Sequence, residues 1–287
     1  MDLKNKKLLL LGGSAFAKDI KRYSNEKGFS LFSIGRNKNA EYMKIADKSY
    51  NIDFMSFSEV AKIIDKNKID GFFCGAAEES INAAISLSEL SGVPFYTNRK
   101  QWDELSDKEK FKKHLRKFGI GVIPEYNVKD FLANEEYTKS LYPVLVKPVD
   151  GSGAKGISIC YNYKQFYDNY HIALESSVTK RAMLEKYLVN MDDVFIRYHI
   201  QDFSYSISSS FDKYTTSSNG SILKYPIAYL HPSYHLKNYL NNVDLKMQEL
   251  FKSLRIKNGV ITLQAFVDQD SNFYFYEAGY RLGGSQS

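Results

Sequence analysis

The glycine-rich segment from Lys147 to Ile159, KPVDGSGAKGISI, restricts the fold more than any other stretch. The segment contains the pattern G-x-G-x-x-G of a dinucleotide-binding turn, formed by Gly151, Gly153 and Gly156. Such a turn must run directly into a helix, because the helix N-terminus meets the pyrophosphate. Here β-branched residues alternate after the last glycine and an apolar run precedes the first, which predicts a loop between two strands. We interpret the segment as a glycine-rich flap, while an ordinary tight turn also fits the letters.

The charge balance suits an anionic small molecule as well as it suits nucleic acid. Lys and Arg number 39 against 33 Asp and Glu, a mild basic excess in a chain of 287 residues that is long enough for two domains. A nucleic-acid-binding protein would show a denser basic patch, so no nucleic-acid partner is expected. The most basic stretch, Lys108 to Lys117, has Phe111 and Leu115 at helical spacing. Most of its charges, Lys108 apart, are therefore predicted to form the solvated face of a helix.

The two cysteines, Cys74 and Cys160, lie far apart without metal-ligand spacing. They are predicted to be small buried residues in a reducing compartment. No apolar run approaches the roughly 20 residues of a membrane span, so the cytoplasm is the expected location and no membrane partner is expected. His231 and His235 lack the glutamate of a zinc motif and are separated by a proline, so no zinc site is predicted there.

The first hundred residues alternate between apolar runs and helical stretches. The pattern predicts strands at 7–11, 30–34, 50–54, 71–74 and 94–97, and helices at 15–26, 57–66 and 79–90. This alternation predicts a parallel sheet covered on both faces. Gly12, Gly13 and Ser14 end the first strand and form either a tight turn or a ligand site at its carboxyl end.

A different pattern follows residue 105. Ser106 with Glu109 forms a capping-box pattern that predicts a helix start, and Gly119 is placed to end that helix. Further strands are predicted at 144–147, 156–161, 183–188, 194–199 and 205–211, helices at 164–176 and 245–254, and a hairpin at 260–277. The second half therefore has α+β character.

Two polar features flank the flap in sequence. Lys147 ends an apolar strand directly before it, so its ammonium group is placed to neutralise a polyphosphate whose oxygens the glycine N–H groups approach. A lysine that only extends from a sheet edge to solvent would fit equally well. The segment MLEKYLV at 183–189, with Asp192 and Asp193 after it, has backbone groups for a purine edge and carboxylates for a ribose.

The third polar feature is the predicted hairpin. If residues 269–272 form its loop, Asp268 pairs with Phe273 and Gln264 lies opposite Glu277. Amide and carboxylate oxygens suit Mg2+, which usually takes its remaining ligands from water and nucleotide phosphates. Arg281, near two glycines, is placed to reach a transferring phosphoryl group.

Taken in order, these motifs resemble the ATP-grasp superfamily, particularly the carbamoyl-phosphate-synthetase-like and biotin-carboxylase-like ligases. The resemblance covers nearly the whole chain and is carried by Asp107-Lys108 with Phe111, the Lys147 strand and flap, Glu185-Lys186-Tyr187-Leu188, and Gln264 with Glu277-x-x-x-Arg281. It implies an α/β and α+β chain in which a parallel-sheet domain precedes a two-lobed ATP-grasp fold. The implied domains are a Rossmann-like pre-ATP-grasp domain at 1–104, a small lobe with the flap at 105–190 and a large lobe with the metal site at 191–287. Relatives usually continue past the last residues of this chain, so a chain truncated at its C-terminus is expected.

The resemblance also implies a set of site residues around ATP. Phosphate or adenine contacts are implied for Lys108, Lys147 and the flap residues Gly151, Ser152, Gly153 and Gly156. The adenine would face Glu185, Lys186, Tyr187 and Leu188, and the ribose Asp193, with Asp192 as the alternative. Gln264 and Glu277 would hold Mg2+, with Mn2+ as the alternative, and Arg281 would be the catalytic residue that stabilises the transferred phosphate.

The implied activity is an ATP- and Mg2+-dependent ligase that converts a small-molecule carboxylate into an acyl phosphate for attack by an amine or another nucleophile. Two departures from the family pattern weaken the metal site: Gly279 replaces an asparagine, and Gln264 a frequent glutamate. An ATP-binding module without turnover is therefore the alternative, and an NAD-linked oxidoreductase built on Gly12 and Gly13 is a third hypothesis. A homodimer stays open.

Overall fold

The computed structural model describes residues 2–150, 155–217 and 224–282. The chain forms two compact units. The first comprises the residues up to Trp102 together with Arg281 and Leu282, and the second comprises Asp103–Tyr280.

The first unit is built on a parallel sheet of four strands, in the order β3-β2-β1-β4. Its elements are β1 (Lys7–Leu11), α1 (Ala17–Lys27), β2 (Ser30–Ile34), α2 (Glu41–Ile45), β3 (Lys48–Tyr50), α3 (Phe57–Asn67), β4 (Gly71–Cys74) and α4 (Glu78–Ser91). The central strand β1 is the most apolar, and Leu9, Leu10 and Leu11 are fully buried. The predicted alternation of strands and helices is therefore confirmed for this unit.

Two predicted strands of this unit are wrong. The third strand ends at Tyr50, because the Asp53 carboxylate accepts the N–H of Met55 and its carbonyl accepts that of Ser56, which closes a turn. The segment 94–97 joins no strand of the described sheet. Pro94 has no N–H to donate to a ladder, and the Val93 carbonyl accepts a hydrogen bond from Ser88 Oγ instead.

The predicted helix start at Ser106 is also wrong. Ser106 is the last residue of α5 (Arg99–Ser106), and Asp107 caps the next helix, α6 (Lys108–Lys117). The Asp107 carboxylate accepts the N–H groups of Glu109 and Lys110, each at 3.0 Å. A carboxylate at this position also interacts favourably with the helix dipole, which a serine hydroxyl does not match. The predicted end is confirmed, since Gly119 has a φ of 65° directly after the cap.

The small sheet of the second unit is antiparallel, with strand order β5-β8-β6-β7. Its elements are β5 (Glu125–Tyr126), α7 (Val128–Ala133), α8 (Glu135–Thr138), a 3-10 turn (Lys139–Leu141), β6 (Val144–Pro148), β7 (Ser158–Cys160), α9 (Tyr163–Ser176) and β8 (Ala182–Lys186). Because β6 and β7 pair directly, the glycine-rich segment joins two strands and no helix follows it. The strand-to-helix turn of a dinucleotide site is therefore excluded at this segment.

The large sheet follows, with strand order β11-β10-β9-β12-β13. Its elements are β9 (Asp192–Gln201), β10 (Ser204–Ser217), β11 (Lys224–Leu230), α10 (Leu236–Asn242), α11 (Asp244–Ser253), β12 (Gly259–Val267) and β13 (Phe273–Gly279). One face packs on α10 and α11: the Tyr198 ring lies edge-on to Phe251, and its hydroxyl hydrogen-bonds to Tyr239 and Asp244. The opposite face, which carries the odd-numbered residues of β9, is only half-buried.

The predicted register of the hairpin between β12 and β13 is wrong at its connection and confirmed at Gln264 and Glu277. Val267, not Asp268, pairs with Phe273, so the connection is one residue longer than predicted. A β-bulge at Tyr276 then compensates for this shift, and Gln264 does lie opposite Glu277. The bulge places both Tyr276 and Glu277 toward the half-buried face, a common role of bulges near functional sites.

The predicted burial of the cysteines is confirmed. Cys74 and Cys160 are free and buried, and burial raises the pKa of the Cys74 thiol to about 12 and that of Cys160 to about 11. No helix in the described ranges is long and apolar enough to cross a membrane. The three sheets occupy consecutive stretches of the chain, while the division into domains at 1–104, 105–190 and 191–287 stays a prediction.

Candidate active site

A cluster of buried charges lies at the centre of the small sheet. Lys147 Nζ lies 2.8 Å from Glu185 Oε1, and Lys112 Nζ contacts the same oxygen. Lys112 also lies 3.0 Å from Glu125 Oε1. The side chains of Lys112 and Glu185 are fully buried and that of Lys147 is 4% exposed. The second oxygen, Glu185 Oε2, is buried and accepts no hydrogen bond from the described residues.

The pKa shifts in this cluster indicate a charged carboxylate between two ammonium groups. Burial alone would raise the pKa of Glu185, but Lys147 and Lys112 outweigh it and hold that pKa below its usual value. The pKa of Lys147 is lowered, mainly by burial, because the attraction of Glu185 offsets only part of it and Lys112 repels the ammonium. The ammonium group predicted to meet a phosphate is therefore fixed in place by Glu185.

The stability of the protein should depend on pH through Glu185. Its folded pKa is lowered, so its stabilising contribution is complete above the unfolded value of 4.5 and is lost as the pH falls further, through the folded pKa. We expect the free energy of unfolding in urea, measured between about pH 3 and 6, to fall more steeply with decreasing pH in the wild type than in Glu185→Gln. Equal pH slopes in the two proteins would contradict this assignment.

Lys112 is an exception to the predicted solvated lysine face, on which Lys113, Arg116 and Lys117 are exposed. Lys108 and Lys112, one turn apart in α6, are both buried beside Phe111 and Leu115. The apolar stripe is thus continued by two lysines, one of which has Glu185 and Glu125 as partners. The backbone of Lys108 donates to the Val149 carbonyl at 3.0 Å, which ties the start of α6 to the residue after β6.

The flap residues Gly151, Ser152 and Gly153 lie outside the described residues. At its far side Gly156 has a φ of 74°, and a Cβ there would lie 2.6 Å from that of Ser176, so glycine is required. At its near side the Asp150 carboxylate accepts hydrogen bonds from the Ser177 hydroxyl and from the hydroxyl and N–H of Thr179. Burial acts to raise the pKa of Asp150, but these hydrogen bonds lower it. Both ends of the flap are therefore fixed on one segment, an anchor that the sequence did not suggest.

The segment Glu185-Lys186-Tyr187-Leu188 leaves the small sheet at the end of β8. Lys186 is exposed and its N–H donates to the Pro124 carbonyl at 2.9 Å, whereas Tyr187 and Leu188 are half-buried. Because the Glu185 carboxylate lies between the two lysines, the predicted contacts of this segment with adenine rest on its backbone groups. They stay a prediction.

On the half-buried face of the large sheet, Asp193 lies beside the hairpin. Its carboxylate pairs with Lys213 at 2.5 Å and accepts the Tyr276 hydroxyl at 2.9 Å. Tyr276 also lies at hydrogen-bonding distance, 3.1 Å, from Gln264 Oε1. Burial, followed by Asp193, raises the pKa of Tyr276 well above 10, so the hydroxyl remains a donor. Asp192, the alternative ribose ligand, instead contacts His235 at 2.9 Å.

The strands align four side chains across the sheet in what we call the Glu277 row: Phe211, Phe195, Gln264 and Glu277. The Glu277 carboxylate forms no hydrogen bond or ion pair within the described residues, and Gln264 Oε1 contacts only the Tyr276 hydroxyl. The described part of the chain contains no group of three or more His, Cys, Asp or Glu side chains suited to a metal. Two oxygens without other partners fit Mg2+, which keeps several waters and phosphate oxygens as ligands.

Arg281, the predicted catalytic residue, belongs to the first unit. Its Nε lies 3.8 Å from Glu78 Oε1, and its Nη1 donates to the Leu282 carbonyl at 3.4 Å. Gly283 and Gly284 lie outside the described residues. The role of Arg281 toward a phosphoryl group stays a prediction.

Comparisons with known proteins agree with this geometry. The sequence profile of the carbamoyl-phosphate synthase L chain ATP-binding domain matches residues 107–199, which include the Lys112, Lys147 and Glu185 cluster and the flap. Among solved structures, the biotin carboxylase domain of 2-oxoglutarate carboxylase from Hydrogenobacter thermophilus, in complex with MgADP, ADP and bicarbonate, superimposes with a TM-score of 0.82 at 20% identity. The superposition covers 98% of this chain and 65% of the Hydrogenobacter chain.

The chain has the fold of the ATP-grasp proteins. N5-carboxyaminoimidazole synthetase from Staphylococcus aureus, complexed with ADP, shares the ATP-grasp fold with a TM-score of 0.76 at 17% identity, over 99% of this chain and 73% of that one. Formate-dependent phosphoribosylglycinamide formyltransferase from Nitratiruptor is 26% identical over 193 residues, which is 65% of this chain. The chain spans 48% of the length of that relative.

Proposed function

We propose that this chain is an ATP- and Mg2+-dependent ligase that activates a small-molecule carboxylate as an acyl phosphate, which an amine or another nucleophile then attacks. The observation that carries the proposal is the Glu277 carboxylate, which has no partner among the described residues and lies opposite Gln264 on the face that also holds Asp193. Relatives with the same fold are ADP complexes, one of them with MgADP and bicarbonate.

Each part of the site would then have a distinct role. Lys108, Lys147 and the flap would bind the phosphates, the backbone of the Glu185 to Leu188 segment the adenine, and Asp193 the ribose. Gln264 and Glu277 would hold Mg2+, which when bound offsets charge on the phosphoryl oxygens. Positioning and charge compensation supply most of the catalysis in phosphoryl transfer, and Arg281 is the proposed cation for the transferred group.

Lys147→Ala should weaken ATP binding by about 2 kcal/mol, or roughly 30-fold. A cation against a buried polyphosphate contributes on the order of 2–5 kcal/mol, and the lower end applies because Glu185 already neutralises part of its charge. Calorimetric titration with MgATP measures the change, and Lys164→Ala, at an exposed lysine of α9, is the matched control. Equal affinity of Lys147→Ala and wild type would remove Lys147 from the site.

Turnover separates the ligase from an ATP-binding module, the alternative that Gly279 motivates. ADP release is measured with pooled amino acids and carboxylates, first together and then with each omitted. If the chain is a ligase, we expect ADP release to require a carboxylate. Tight ATP binding without substrate-dependent ADP release would favour the module, whereas NAD(H) binding that survives Lys147→Ala would favour the oxidoreductase.

The assembly and location of the protein are proposals of the same kind. The biotin carboxylase domain of the Hydrogenobacter enzyme is a dimer. A homodimer of this chain is compatible with that likeness, and light scattering after gel filtration measures it. A cytoplasmic location rests on the two unpaired cysteines of the sequence.

A further inference from the structure

A second row of side chains crosses the large sheet beside the Glu277 row. We call it the Arg197 row, and it consists of Ser209, Arg197, Thr262 and Gly279. Directly paired residues share a face of the sheet, and Arg197 follows Phe195 of the Glu277 row by two positions in β9. The two rows therefore lie on the same face, about 7 Å apart.

Among the residues that the structure describes, Arg197 is a cation without an acidic partner. Its Nε donates to Thr262 Oγ1 at 3.3 Å, and its guanidinium lies 6.0 Å from the centre of the Phe211 ring. No carboxylate in the described ranges lies within ion-pair distance of it, whereas Lys213 on the same face is neutralised by Asp193. Arg197 is half-buried, and burial lowers its pKa. A partly desolvated charge without a counter-ion favours the binding of an anion.

Ser209, in the same row, has a buried hydroxyl group without a hydrogen-bond partner among the described residues. It pairs directly with Arg197. Such unpartnered buried groups are rare in folded proteins and call for an explanation. An anion at Arg197 would accept a hydrogen bond from this hydroxyl, so one ligand would satisfy both groups.

A cavity continues from the Arg197 row along the same face. It has a volume of about 360 Å3 and polar lining residues, namely His199, Gln201, Asp202, Ser204 and Ser206. His199 pairs with Ser206 and Gln201 with Ser204, so these residues form the next rows beyond Arg197. A small molecule held at Arg197 would thus have room for a polar body, and the volume suits a metabolite.

We propose that Arg197, with Ser209 and Thr262, binds a carboxylate of the acceptor substrate, whose polar body extends toward His199 and Ser206. This inference rests on the proposed function. It assigns the substrate of the proposed ligase site to the small organic acids. The planar guanidinium matches a carboxylate with two parallel hydrogen bonds, which a lysine ammonium does not. Gly279 ends the row without a side chain, which leaves space beside Thr262 for the ligand.

Direct binding is measured by NMR on protein labelled with 15N-arginine, in the presence of MgADP. The Arg197 Nε–H signal is assigned by its loss in Arg197→Lys, and acetate, succinate, citrate, orthophosphate and the neutral succinamide are titrated. We expect a saturable shift with at least one carboxylate, none with succinamide, weaker binding in Ser209→Ala and unchanged binding in Arg22→Gln. A signal that moves with none of the carboxylates, or only with orthophosphate, overturns the inference.

Kinetics give an independent measure. For an acid that supports ADP release, Arg197→Gln should raise its KM about 10- to 100-fold, while the Kd for ATP stays that of the wild type. Arg197→Lys should recover part of the loss. An unchanged KM in Arg197→Gln overturns the inference and leaves the proposed function intact. Conversely, carboxylate binding at Arg197 without ADP release from any acid supports the inference and contradicts the proposed function.

Discussion

Replacing Glu185 by alanine is expected to lower the free energy of unfolding by about 3–5 kcal/mol. The substitution leaves the ammonium groups of Lys147 and Lys112 buried without the carboxylate that they share. Lys112 keeps Glu125 at 3.0 Å, whereas no other carboxylate in the described parts of the chain lies within ion-pair distance of Lys147. The expected loss of stability thus comes more from the buried charge that is left uncompensated than from the net free energy of one ion pair.

Urea unfolding at neutral pH measures this change. Glu136→Ala is the matched control, because the Glu136 side chain is 82% exposed and pairs with the exposed Lys139, so the variant should stay within about 0.5 kcal/mol of the wild type. The combination of Lys112→Met, Lys147→Met and Glu185→Leu should recover much of the stability, since all three charges are then removed together. If Glu185→Ala unfolds within 1 kcal/mol of the wild type, the buried cluster does not hold the small sheet together as described.

The second large effect is expected at Glu277. Glu277→Ala should reduce carboxylate-dependent ADP release on the order of 1000-fold, about 4 kcal/mol, because a bound metal contributes several kcal/mol to stabilising charge in phosphoryl transfer. Gln264 alone would then remain opposite an alanine. Initial rates of ADP formation at saturating MgCl2 measure the effect.

Two further variants give this prediction its controls. Asp270→Ala changes an exposed acid in the connection between β12 and β13 and should keep the wild-type rate. Tyr276→Phe keeps both proposed metal ligands but removes the hydroxyl that contacts Asp193 and Gln264, so a smaller loss, about 10- to 100-fold, is expected. A Glu277→Ala protein that turns over at the wild-type rate would exclude the Gln264 and Glu277 pair as the metal site.

The hairpin shows why sequence reasoning found this pair and where its reasoning failed. The strand pattern gave the partners, but it began the connection one residue too late, at 269 instead of 268, and had no sign of the bulge at Tyr276. The longer connection is held by the Asp268 carboxylate, which accepts the Asn272 N–H at 2.8 Å. The two deviations cancel at Gln264 and Glu277. The predicted pairing of Gln264 with Glu277 is therefore correct, although it was derived from a connection that is one residue shorter than the observed one.

Residues whose roles depend on distant partners were not predictable. Lys112 belongs to a run of lysines, and only the return of β8 past α6 brings Glu185 to it, 73 positions away. Arg197 and Lys213 resemble ordinary charges on exposed strands until β9 and β10 pair. By contrast, the β-α-β pattern of the first unit and the strands around the flap follow from local periodicity, which a single sequence contains.

Titration of ATP into the wild-type protein by calorimetry, once with excess MgCl2 and once with EDTA, tests the central claim most directly. We expect one ATP bound per chain with MgCl2 and much weaker binding with EDTA, since the proposed ligands Gln264 and Glu277 would engage the nucleotide only through the metal. ATP binding of equal strength under both conditions, or no binding at millimolar ATP, would contradict it.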